Sequence, residues 1–128
     1  LKGMAKDVVL LDTIGELRAF YSACDIAFVG GSLVKVGGHN LLEPAAMKKP
    51  VIFSRYMFNF KEISEALIQA GGGLMVNDKE ELYAKLDNLL SDKQLSTAMG
   101  EKAFKVIAAN SGATVRTIDA VHRLIIAQ

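Results

Sequence analysis

An α/β fold, with parallel strands flanked by helices, is predicted by three features of the sequence. Val8-Val9-Leu10-Leu11, Ile26-Ala27-Phe28-Val29, Val51-Ile52-Phe53 and Leu74-Met75-Val76 are short apolar runs of strand length. The stretches between and after them carry apolar residues at helical spacing. Glycine, proline or an acidic residue stands at the changes from one pattern to the other. Strands alternating with helices give a layered fold with a parallel sheet, in which ligands bind beyond the carboxyl ends of the strands.

In chain order, Val8 to Leu11 is stopped by Asp12 and reads as a buried first strand. Leu17, Phe20, Tyr21 and Cys24 then recur at helical spacing until Asp25. The second strand, Ile26 to Val29, ends at Gly30-Gly31, and a glycine-rich loop leads to Gly37-Gly38-His39. Asn40 to Met47 reads as a short helix with Asn40 as its N-cap. Pro50 precedes the third strand, Val51 to Phe53, and Ser54 to Phe60 is a loop with an aromatic tail. Lys61 to Ala70 is amphipathic, with Ile63, Ala66, Leu67 and Ala70 on one face, and Gly71-Gly72-Gly73 closes it with a left-handed turn. After the fourth strand, Leu74 to Val76, Asn77 or Asp78 caps a helix expected to bury Leu82, Leu86, Leu89 and Leu90. Two more helices are expected, about Asp92 to Ala109 and about Ala113 to Ile126. No internal repeat, low-complexity tract or interdomain linker interrupts the pattern.

Composition narrows the function. The chain has 128 residues, 51% of them hydrophobic, enough for a real core and too apolar for disorder. The net charge is +1 and no basic run exceeds Lys48-Lys49, which argues against nucleic acid as a partner. The single cysteine, Cys24, excludes an internal disulfide, fits a reducing compartment and reads as core on an apolar helix face. No apolar run reaches the ~18 residues of a membrane span and nothing at the start reads as a signal peptide, so any membrane contact is expected to be peripheral. There is no metal-ligand spacing and no Ser-His-Asp or Cys-His set, so neither a metal nor a cofactor is expected.

The chemistry concentrates in Gly30-Gly31-Ser32 and Gly37-Gly38-His39-Asn40-Leu41-Leu42-Glu43-Pro44. Glycines between a strand and a helix let backbone approach a ligand closely, and free amides at a helix start attract phosphate. An empty glycine loop is the bland alternative. Glu43 has two readings: a capping box closing on the Asn40 amide, or an acceptor for two ribose hydroxyls. Pro44 falls in the first turn, where its missing amide hydrogen matters little. His39 either donates to a phosphate or sugar carboxylate or packs near the helix start. Asp12-Thr13-x-Gly15-Glu16-Leu17 reads locally as a helix start with Thr13 as cap and Glu16 in the first turn. Phe58-Asn59-Phe60 either anchors the next helix or walls the ligand.

Taken together, Asp12-Thr13-Ile14-Gly15-Glu16-Leu17, Phe28-Val29-Gly30-Gly31-Ser32-Leu33, Gly37 to Pro44 and Phe58-Asn59-Phe60 resemble, in order and spacing, the Kdo (3-deoxy-D-manno-octulosonic acid) transferases. The resemblance covers roughly residues 8 to 125. It departs at Ser54-Arg55-Tyr56, where many relatives carry Gly-Pro-His. It implies a Rossmann-like sheet belonging to the carboxy-terminal, nucleotide-sugar-binding domain of a glycosyltransferase-B fold. This chain then corresponds to part of that domain, its first two strands and the amino-terminal acceptor domain lying outside it. The implied donor is CMP-Kdo and the implied acceptor is the lipid A precursor of lipopolysaccharide, bound through the other domain. By position, Gly30, Gly31 and Ser32 line the donor cleft, and Gly37, Gly38, His39 and Asn40 face the phosphate and sugar. Glu43 binds the ribose, and Gly15, Glu16 and Leu17 lie near the cytosine. No catalytic residue is expected in this chain, since the family's base is a carboxylate of the other domain. The implied location of the longer enzyme is the cytoplasmic face of the bacterial inner membrane, with this piece soluble.

The resemblance implies an inverting displacement, with this chain orienting the donor and stabilising the departing phosphate. Two rivals stay open at this point. One is another nucleotide-sugar transferase or a sugar-nucleotide epimerase; the other is a non-enzymatic α/β interaction module. In the strand order 3-2-1-4-5-6, the absent strands would lie between the first and second strands here. Two open edges would result, and dimerisation by strand exchange is expected to cover them.

Overall fold

The computed structural model describes residues 7–126, with side chains through residue 110. Three parallel strands form its sheet: β1 (Ala27–Phe28), β2 (Val51–Ser54) and β3 (Gly73–Val76), in the order β1-β2-β3. The register pairs Ala27 with Val51 and Val51 with Gly73. The helices are α1 (Leu17–Ala23), α2 (Leu42–Ala46), α3 (Lys61–Ala70), α4 (Lys79–Ser91) and α5 (Lys93–Ile126). A 3-10 turn, Phe58–Phe60, precedes α3.

β2 is buried along its whole length, and the alternation of a strand sends its side chains to two cores. Val51 and Phe53 join Val29, Leu41, Ala45, Met57, Leu67 and Ala103 on one face. Ile52 joins Val76, Leu89 and Met99 on the other. α5 therefore clamps both layers, with Met99 in one core and Ala103 in the other. Fully burying a residue such as Phe53 or Leu67 contributes about 1.5–3 kcal/mol, so this sandwich is what holds the sheet's carboxyl edge in place. α3 ends as its sequence predicts, with Gly71 at φ 77° and its N–H donating to the Ile68 carbonyl. Asp78 caps α4 by accepting the Glu81 N–H at 2.8 Å, and Glu81 reaches back to the Asn77 N–H at 2.9 Å.

Several expectations are corrected. Residues 8–11 form no strand: Val8, Val9 and Leu10 are 83%, 64% and 85% exposed. A strand exists only through a ladder partner, and among the described residues none stands beside this run. The two carboxy-terminal helices are one helix of 34 residues. The chain has only two prolines, both upstream, and Gly100 and Gly112 cost about 1 kcal/mol each against Ala, too little to break a helix. Leu90 is 64% exposed because it lies about 100° around α4 from the buried Leu89. α2 begins at Leu42 rather than at Asn40, with Leu41 at its cap. Glu16, not Thr13, holds the cap position of α1, and it makes no side-chain cap bond.

Candidate donor site at the carboxyl edge

A relay of serine hydroxyls frames the carboxyl ends of the three strands. Ser32 donates to the Val29 carbonyl at 2.8 Å and accepts the Ser54 N–H at 2.9 Å. Ser54 in turn donates to the Val76 carbonyl at 2.7 Å. Both serines are essentially fully buried. Strand ends need such partners because their last carbonyls have no ladder left to bond. The Ser32 hydroxyl is thus part of the frame.

On this frame the structure joins the glycine pairs that the sequence separates. The Gly38 N–H donates to the Gly31 carbonyl at 2.9 Å. The His39 imidazole lies against Gly31, whose φ is 71°; a Cβ there would stand 2.7 Å from Cδ2 and 2.8 Å from Nε2 of that ring. Gly30 is exposed and faces open space. Gly37 and Gly38 are buried, with φ of 95° and 79°, and side chains of residues 57–59 fill the space where their own would be. His39 and Asn40 are exposed on the rim.

Glu43 sits in the first turn of α2, exposed. The capping box is not formed: the Asn40 Oδ1 accepts the Leu42 N–H at 2.9 Å, and no bond joins Glu43 to the Asn40 amide. Among the described residues the Glu43 carboxylate has neither a hydrogen bond nor an ion pair. α1 packs on α2 and brings Tyr21 beside it. Burial, then the Glu43 charge and then Cys24, push the Tyr21 phenol above its ordinary pKa. Cys24 is half-buried, its Sγ 3.3 Å from the Tyr21 carbonyl. Burial raises its thiol pKa too, opposed by Lys49 and aided by Asp25.

Gly15, Glu16 and Leu17 stand apart. All are exposed, and the Glu16 carboxylate accepts the Thr13 hydroxyl at 2.7 Å. Among the described residues, no hydrogen bond ties this segment to the glycine loop.

Residues 2–106 match the family described as glycosyl transferases group 1. The chain belongs to that family. It is 45% identical over 113 residues to the 3-deoxy-D-manno-octulosonic acid transferase of Haemophilus influenzae, covering 88% of this chain and 26% of that protein. It is 42% identical over 116 residues to the enzyme of the same name from Bordetella pertussis, covering 91% and 27%. The chain thus spans about a quarter of the length of these relatives. Among solved structures it is similar to the C-terminal CMP-Kdo binding domain of WaaA from Acinetobacter baumannii. That likeness has a TM-score of 0.71 and 31% identity, and covers 76% of this chain and 51% of that one.

At the carboxyl edge of the sheet Gly30, His39, Asn40 and Glu43 are exposed. A cavity of about 530 Å³ lies at the opposite, amino end of the strands, lined by Asp25, Lys48, Lys49, Pro50, Lys93 and Ser96 among others. None of those residues belongs to the predicted site. At the carboxyl edge His39 lies against Gly31, and Glu43 stands in the first turn of the helix that follows. Sequence reasoning missed the frame and its supports. Ser54, Met57 and Asn59 serve residues about 20 positions away, and nothing in local spacing signals that. It also missed Arg55, an exposed cation at the end of β2, held 5.1 Å over the Tyr56 ring. Among the described residues no three His, Cys, Asp or Glu side chains form a metal-binding group.

Proposed function

We propose that this chain is the donor-binding part of a Kdo transferase, taking CMP-Kdo for transfer to the lipid A precursor in lipopolysaccharide synthesis. The observation that carries the reading is the Glu43 carboxylate. It has no hydrogen bond or ion pair among the described residues, is exposed, and stands in the first turn of the helix after the glycine loop, and ligands of parallel-sheet folds bind beyond the strands' carboxyl ends. A vicinal ribose diol supplies the two donors that such a carboxylate accepts. The identity of the donor rests on the likeness to the CMP-Kdo binding domain.

In this reading Gly30, Gly31 and Ser32 line the donor cleft, Gly37, Gly38, His39 and Asn40 face the phosphate and sugar, and Gly15 to Leu17 lie near the cytosine. α2 spans only five residues, so its dipole is small and loop amides carry most of the anion binding. The acceptor hydroxyl attacks the anomeric carbon of Kdo as the bond to the phosphate oxygen breaks, with inversion. CMP leaves with the electron pair. The base that takes the hydroxyl proton belongs to an acceptor domain outside these residues. Holding the donor in one orientation is this chain's contribution to lowering the barrier. We place the longer enzyme at the cytoplasmic face of the inner membrane, held peripherally; no helix among the described residues is long and apolar enough to cross a membrane.

Calorimetric titration with CMP, CMP-Kdo, UMP and UDP tests the reading. CMP and CMP-Kdo bind and the uridine nucleotides do not. Preference for UDP assigns another nucleotide-sugar enzyme, and no nucleotide binding overturns the site. Glu43→Gln lowers CMP affinity roughly tenfold, since charge-assisted bonds contribute about 1.5–3 kcal/mol. A loss of thermal stability with CMP affinity intact would instead give Glu43 a structural role.

A further inference from the structure

We propose that Asn59 is a positioning residue for the donor site, which aims the Gly37 N–H at the donor phosphate. The inference rests on the donor-binding reading and deepens it.

Residues 36–38 have little to hold them within their own loop. Inside the stretch 31–40 the backbone bonds that touch them are Val36 N–H to the Val34 carbonyl, at 2.8 Å, and Gly38 N–H to the Gly31 carbonyl, at 2.9 Å. What fixes their peptide planes comes from the 3-10 turn. The Asn59 N–H donates to the Gly37 carbonyl at 3.2 Å. Its side-chain Nδ2 donates to the Val36 carbonyl at 3.4 Å. The same amide and the Phe58 ring occupy the space over the Gly37 Cα, and the Met57 sulfur occupies that over Gly38.

The consequence follows from the peptide bond. In a trans peptide the C=O and the following N–H point in opposite directions across one rigid plane. Turning the Gly37 carbonyl toward Asn59 turns the Gly38 N–H away from it, and that N–H is found on the Gly31 carbonyl. Turning the Val36 carbonyl toward the Asn59 side chain does the same to the Gly37 N–H. That N–H has no partner among the described residues. Buried polar groups are almost always bonded, so a donor held aimed and unpaired beside a glycine floor calls for an acceptor. Within the donor reading, the acceptor on that side is a phosphate oxygen. Asn59 never touches the donor; it acts through the Val36–Gly37 peptide.

Asn59→Asp keeps the shape and removes the Nδ2–H donor, and Asn59→Ala removes both. CMP and cytidine are titrated against the chain and both variants, with the amide resonances of Gly37 and Gly38 followed by nitrogen-edited NMR. Both variants lose CMP affinity about fivefold or more and keep cytidine affinity, because the nucleoside lacks the phosphate that the amide meets. The Gly37 amide moves on CMP addition in the wild type and much less in the variants. Unchanged CMP affinity in both variants overturns the proposal. So does an equal loss for CMP and cytidine, which is what a general loosening of the fold produces. Wild-type protein that binds neither ligand would bring down the donor reading itself, a result distinct from either.

Discussion

Gly37 and Gly38 pack against Met57, Phe58 and Asn59; Gly15 has nothing packed where a side chain would stand. Both stretches are placed in the donor site by resemblance, and both have glycines at positive φ, 95° and 79° against 91°. The first pair is buried under Met57, Phe58 and Asn59 and bonded to the Gly31 carbonyl. Gly15 has no atom within 4 Å of where a side chain would stand, and Leu17 beside it is 46% exposed. In the proposed donor site, the difference means that the phosphate side is built in advance by the sheet and its supports. The proposed base side is exposed surface. Preorganisation matters most where charge must be met, since a donor aimed beforehand needs no reorganisation on binding.

The largest effect is expected where the packed half is broken. Gly38→Ala forces a β-carbon into the Met57 thioether at a φ that L residues avoid. Strain and overpacking each cost about 1–3 kcal/mol, so the substitution lowers stability by several kcal/mol and abolishes CMP binding. Gly15→Ala meets only the backbone strain, about 1–3 kcal/mol, and keeps most of its CMP affinity. Urea unfolding and calorimetry on the pair check the contrast. Equal losses from the two would erase the distinction between a built half and an open half.

That contrast also marks what the sequence could and could not announce. β1, β2 and β3 were legible because each is apolar on successive residues, as Val51, Ile52 and Phe53 must be to enter two cores. Residues 8–11 have the same pattern and form no strand, since a pattern states what a segment can bury and not whether a neighbour exists. The glycine loop was legible as a ligand site by composition. The reason Gly37 and Gly38 must be glycine was not, because the atoms that exclude a side chain come from residues 57–59. The resemblance places Ser32 in the donor cleft; that its hydroxyl also bonds residue 54 is something no local spacing reveals. The Asn40-x-x-Glu43 spacing was even-handed between a cap and a free carboxylate. Only the bond from Leu42 to Asn40 separates them.

A middle-sized effect is expected from the frame beneath both glycine pairs. Ser32→Ala removes a buried hydroxyl that joins the Val29 carbonyl to the Ser54 N–H. It leaves a buried donor unsatisfied, at a cost of about 1–3 kcal/mol. Stability therefore falls in denaturant melts, and CMP affinity falls with it only as far as the glycine floor shifts. A variant as stable as the wild type would show that water or backbone adjustment replaces the hydroxyl, and the frame would then have no special hold on the site.

The smallest effect on the fold is expected at the unpacked end. Val8, Val9 and Leu10 are exposed, and β1 has a sheet neighbour on one side only among the described residues. Substituting an exposed residue that touches nothing changes stability by no more than about 0.5 kcal/mol, so Val9→Lys leaves the unfolding midpoint nearly unmoved at low protein concentration. An exposed apolar run and an open strand edge are nonetheless surfaces that another strand can join, and two copies of the chain each carry both. We expect pairing between copies through these segments. A lysine there opposes it by placing a charge on the edge. Light scattering over a dilution series reads the outcome: the wild type rises toward twice its monomer mass with concentration, and Val9→Lys stays lower. A wild type that remains monomeric throughout removes the pairing and leaves the packed half of the donor site untouched, because none of its supports lies in residues 8–11.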